Sequence, residues 1–238
     1  MKKFFTLISL SLTAGVLLSS CAGFDPRGRE AWEQDTLVKR FKKTTEEEYQ
    51  ENSRETGRIQ KKLAEGARSF LGRDSLVVRG KTFNLDCTGV VLAVYYYAGI
   101  DLSKDFSKYT GNGVKRLYSY LDSEGLLYHT FFPQPGDIIF WDNTYDRNED
   151  GKWNDELTHV GMVVEASKWG TIDYIHHNYR KGIVLERMNL KEPDTERKSI
   201  EGDIVIINSP MRMKGSPPGP GKLAGQLYKQ FGKGYEAE

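Results

Sequence analysis

Apolar residues recur at three- and four-residue spacing through Ile59, Leu63, Ala67 and Phe70 or Leu71, with charged positions between them. That spacing predicts an amphipathic helix within 46–71, closing at Gly72. Residues 73–84 carry Gly80 and no clear period, so they read as a loop or a short pair of strands. The run CTGVVLAVYYYA at 87–98 is apolar almost all round. Val and Tyr suit a strand, but the length of the run and its brackets, Asp86 before and Gly99 after, favour a buried helix capped by the Asp86 carboxylate. Val114, Leu117, Tyr118 and Leu121 predict another helix. After Pro135-Gly136 the pattern shortens to apolar runs at 137–141, 159–164, 172–176, 183–185 and 203–207, read as strands of an antiparallel sheet joined by polar turns. Helices first and strands afterwards predict an α+β domain. There is no internal repeat.

The two ends read differently. In residues 1–20, Lys2 and Lys3 precede an apolar run that is too short for a membrane span, the layout of a secretion signal. Leu18-Ser19-Ser20-Cys21 resembles the lipobox of bacterial lipoproteins, which implies lipidation of Cys21 and cleavage before it. Ala22 after it resembles lipoproteins passed to the outer membrane, so the expected location is its periplasmic face. Residues 21–45 are polar and read as a tether. The domain is placed at 46–208, with 209–238 as a Pro/Gly-rich extension. Its Leu223 and Phe231 bound a run that either docks as a short helix or trails as a mobile end.

Composition narrows the partners. Of 34 basic residues, Lys2 and Lys3 lie in the leader, which leaves 32 against 33 acidic ones, a balance that argues against nucleic acid. Two cysteines in an exported chain would suggest a disulfide, but lipidation of Cys21 removes one partner. Cys87 is then an unpaired thiol. The first turn of a buried helix offers unpaired N–H groups and the positive end of the dipole, which lower a thiol pKa, while the Asp86 charge opposes this. A nucleophilic cysteine also needs a histidine base and a group that fixes its tautomer. The candidates are His129, His159, His176 and His177.

Asp86-Cys87-Thr88-Gly89-Val90-Val91, then Pro135-Gly136-Asp137, His159-Val160-Gly161 and Tyr174-Ile175-His176, resemble in order the blocks of NlpC-type cell-wall cysteine peptidases. The resemblance implies a papain-like α+β fold, with the nucleophile helix packed on the antiparallel sheet. It implies Cys87 as nucleophile, His159 as base and His176 as the orienting residue. Strand parity independently favours His176 over His177, because His176 shares the more apolar face with Ile172, Tyr174 and Asn178. Asp86 and Asn178 are expected to support the site, and His129 reads as structural. The resemblance further implies cleavage of amide bonds in peptidoglycan stem peptides; no cofactor is expected for the chemistry, and the chain is expected to be a monomer. The related CHAP amidases share the same logic. The Tyr-x-x-Gly-Gly stretch that often borders the site in this family is absent from 71–80, which motivates a second alternative, a non-catalytic wall-binding lipoprotein.

Between the Pro-Gly-Asp block and His159 lies the segment 146–157. Asp146, Asn148 and Asp150 stand at positions one, three and five, with Gly151 at six, as in the first half of a calcium loop. Lys152 would contribute its backbone carbonyl and Asp155 a closing carboxylate. A structural calcium ion there would rigidify the loop that delivers His159.

Overall fold

The computed structural model describes residue 47 and residues 57–237. The leader, the Cys21 lipidation site and the tether lie outside them, as does nearly all of the chain between 46 and 56.

The first helix, α1 (Arg58–Phe70), buries Leu63, Ala67 and Phe70, the stripe that the spacing predicts. A tight hairpin follows, β1 (Leu76–Val78) with β2 (Lys81–Phe83), its reversal made by Arg79 and Gly80, both at positive φ. Helix α2 (Cys87–Ala98) starts where Asp86 Oδ1 accepts the Gly89 N–H at 2.7 Å, and it ends at Gly99 in the left-handed region. Val90, Val91, Val94 and Tyr95 on it are fully buried. Gly89 is required by packing, because a Cβ there would stand 1.9 Å from the Asn84 carbonyl oxygen. Helix α3 (Gly113–Ser123), capped by Asn112, buries Val114, Leu117 and Leu121. Tyr118 leans edge-on against Phe140 instead.

The strands β3 (Leu127–Tyr128), β4 (Ile138–Trp141), β5 (His159–Ala166), β6 (Thr171–Asn178), β7 (Gly182–Asn189) and β10 (Tyr228–Gly232) form one antiparallel sheet in the order β3-β10-β4-β5-β6-β7. Alternation divides its side chains between two cores. Ile138, Phe140, Val160, Met162 and Ile175 join the core shared with α1 and α2. Ile139, Trp141, Val163, Ile172 and Tyr174 join a second core on the other face. The chain is thus α+β, with α2 packed against β5 and β6.

Two expectations change. The run 203–207 supplies β9 (Asp203–Ile206), but β9 pairs only with β8 (Arg197–Ile200), as a separate hairpin. Its Ile204 is 66% exposed, so an apolar sequence did not mean a core strand. The segment 209–238 is not an appendage. Leu223, Ala224 and Leu227 cover the second face, with α4 confined to Ala224–Leu227. Trp141 Nε1 donates to the Ala224 carbonyl at 2.9 Å, and β10 then occupies the edge of β4. Leu223, Leu227 and Phe231 have helical spacing, but pairing with an otherwise open sheet edge decides the conformation of the last stretch.

Candidate active site

The first residue of α2, the first of β5 and the last turn of β6 meet around a cavity of about 430 Å³. Cys87, His159, His176 and His177 all line it, so three elements distant in sequence bring the predicted nucleophile and base to one space. The Val160 backbone and Thr88 lie close enough to the Cys87 sulfur to favour its thiolate, so the strand that carries His159 starts near the thiol. Burial, reinforced by the nearby Asp86 charge, nevertheless pushes the thiol up to about 11. This reverses the expected lowering. Desolvation outweighs the helix terminus, and the resting sulfur is protonated at neutral pH.

His159 is held well below the ordinary histidine value by burial and then by His176 and His177, so its ring is neutral. Its Nε2 lies 2.8 Å from His176 Nδ1, the rings nearly perpendicular. The other nitrogen of His176, Nε2, faces Glu186 Oε2 at 3.2 Å, off the ideal hydrogen-bond direction, and neither atom has another partner. Both side chains are almost completely buried. Burial opposes ionisation of Glu186, but contacts with His176 and Lys181 hold its carboxyl below the ordinary value. Lys181 Nζ reaches Glu186 Oε1 at 2.9 Å.

An ionised Glu186 can only accept a hydrogen bond, and the hydrogen between His159 Nε2 and His176 Nδ1 sits on one nitrogen or the other according to tautomer. With it on His159 Nε2, the Nδ1 of the neutral ring is a bare lone pair. Glu186 was missed in the sequence because it lies on β7, ten residues beyond His176, and only the β6–β7 register, with Glu186 opposite Tyr174, brings it alongside.

The remaining candidates have smaller parts. The Asp86 carboxylate is engaged in the helix cap. Asn178 builds the β6–β7 turn, its Oδ1 accepting the N–H groups of Arg180 and Lys181 and its amide reaching Glu186 at 3.3 Å. His177 is half-buried, and His129 lies edge-on to Tyr228 and lines a different cavity. Tyr145, which the sequence did not single out, also lines the site; burial raises its phenol, and Cys87 adds to this. In the suggested calcium loop, Asp146 accepts the Gly151 N–H, Asn148 the Asp150 N–H, and Asp150 the Lys152 N–H. Asp155 is buried, its backbone N–H bonded to Asn143 Oδ1. Among the described residues, no group of three or more histidine, cysteine or acidic side chains is placed to hold a metal.

Compared with known proteins, the chain matches no family model, no curated protein and no solved structure.

Proposed function

We propose that the chain is a papain-like cysteine hydrolase, of the NlpC type that its motifs resemble, which cleaves amide bonds in peptidoglycan stem peptides. The observation that carries this reading is the buried line Glu186, His176, His159, which ends at the cavity that Cys87 also lines. A purely structural core has no use for two histidines and a carboxylate hidden from water, since each buried polar group costs free energy unless it is paired.

In this mechanism His159 Nδ1 takes the Cys87 proton as the sulfur attacks the amide carbon. The ring becomes an imidazolium whose charge is balanced through His176 by Glu186. The tetrahedral oxyanion is met by the Cys87 backbone N–H, free of an intrahelical acceptor at the helix start, and by the Tyr145 hydroxyl. Collapse expels the amine, which takes the proton back from His159 and leaves a thioester. Water, deprotonated by the same nitrogen, then releases the acid and restores the thiol. Because thiol and base rest neutral, proton transfer belongs to the attack and no ion pair precedes it.

The proposal extends to anchoring by a lipid on Cys21 at the periplasmic face of the outer membrane, and to calcium in the 146–157 loop. The test of the hydrolase is to incubate the chain, freed of residues 1–45, with purified muropeptides and follow products by mass. Wild type should release fragments with new amine and carboxyl ends, and Cys87→Ala should not. Identical profiles would overturn the reading and favour a wall-binding role.

A further inference from the structure

The cavity walls carry a charge pattern that amide cleavage itself does not use. Arg180, Lys181, Arg212 and Lys214 line it against a single carboxylate, Asp86. The chain as a whole is close to neutral, at +1, so this is a local concentration of charge. Lys181 is paired with Glu186. Arg212 is gripped by the carbonyl oxygens of Asn143 and Pro217 and stacks 4.4 Å over Trp153, partners that bear no net charge. Among the described residues, Arg180 and Lys214 form no ion pair with a carboxylate.

These last two cations share one corner. The Arg180 guanidinium lies 5.2 Å over the Tyr179 ring, and the Tyr179 hydroxyl accepts the backbone N–H of Lys214 at 3.4 Å. The corner is built from both sides. Asn178 shapes the turn that presents Arg180, and it also touches Glu186 of the relay. The strap that carries Lys214 is pinned where Met213 N–H donates to the Thr144 carbonyl at 2.7 Å. Cations without counterions on a concave wall focus positive potential and draw an anion to it.

We propose that this corner binds a free carboxylate of the peptide substrate, so that anionic peptides are cut in preference to the same peptides with that carboxylate amidated. The proposal rests on the amide hydrolysis argued above. Charge-assisted hydrogen bonds from two donors set the expected size of the effect.

The test uses matched stem peptides bearing free carboxylates or the corresponding primary amides. Wild type should show a kcat/KM at least about tenfold higher for the carboxylate form. Higher ionic strength should narrow that preference. The double variant Arg180→Gln, Lys214→Gln should cut the two forms at similar rates, through a fall on the carboxylate peptide. Equal cleavage by wild type, or an undiminished preference in the double variant, would overturn the proposal. A second arm titrates both peptides into Cys87→Ala by calorimetry, with and without the two glutamines. A carboxylate preference in binding that the glutamines abolish, without turnover by wild type, would sink the hydrolase alone. Turnover without any preference would sink the carboxylate corner alone, and absence of both would sink the two together.

Discussion

Glu186 Oε2 lies 3.2 Å from His176 Nε2, with the two side chains 7% and 3% exposed. In the proposed mechanism, a carboxylate so placed acts on the thiol through two imidazoles, by favouring a hydrogen on His176 Nε2. Glu186→Gln keeps the volume and an acceptor but removes the charge that balances the imidazolium. Its kcat should fall by about 10- to 100-fold, the range for an outer partner of a functional histidine, with KM little changed. The acid limb of the kcat/KM profile should also move to lower pH, because His159 becomes less basic. Full activity in a folded Glu186→Gln protein would remove Glu186 from the relay.

The raised Cys87 value makes a prediction about reactivity. With the folded thiol near 11, the thiolate fraction rises roughly tenfold per pH unit below that value. Inactivation by iodoacetamide should therefore climb continuously from pH 6 to pH 10, read as loss of free thiol. A plateau across neutral pH would instead indicate a preformed thiolate–imidazolium pair.

Much of this site was legible in the sequence, for identifiable reasons. Asp86, Cys87 and Gly89 belong to a local signal, a cap, a helix start and a close approach to Asn84, and short-range physics places them. Alternation along β6 favoured His176 over His177, and His176 stands 2.8 Å from His159. Glu186 was not legible. Its strand offers exposed and half-buried positions in mixed order, and only pairing across the sheet turns a polar residue into a buried partner. The direction of the thiol shift was misjudged for a related reason. A helix start is visible in sequence, whereas the depth at which it is buried depends on the strands and strap around it.

The C-terminal segment supplies a further prediction, because β10 fills the sheet edge beside β4 and Phe231 is fully buried in the second core. Phe231→Ala should destabilise the fold by about 3–5 kcal/mol, measured by urea unfolding. Removal of residues 223–238 should leave no cooperative unfolding transition. A shortened chain with wild-type stability would show that this segment is dispensable.

For the 146–157 loop, titration calorimetry with calcium is expected to give saturable heat in the wild type and none in Asp150→Ala. Asp146 Oδ2, Asn148 and Asp150 already accept backbone N–H groups, while Asp146 Oδ1 has no hydrogen-bond partner among the described residues. Absence of heat from the wild type would remove calcium from the account.

The relay itself is tested most directly by the nitrogen NMR shifts of the histidine rings, since protonated and bare ring nitrogens are well separated. At pH 7, His159 should be neutral, with hydrogen on Nε2 and a bare Nδ1, and its shifts should be unchanged in Cys87→Ala. A hydrogen on His159 Nδ1, or a doubly protonated His159 in the resting protein, would contradict the proposed path for the Cys87 proton.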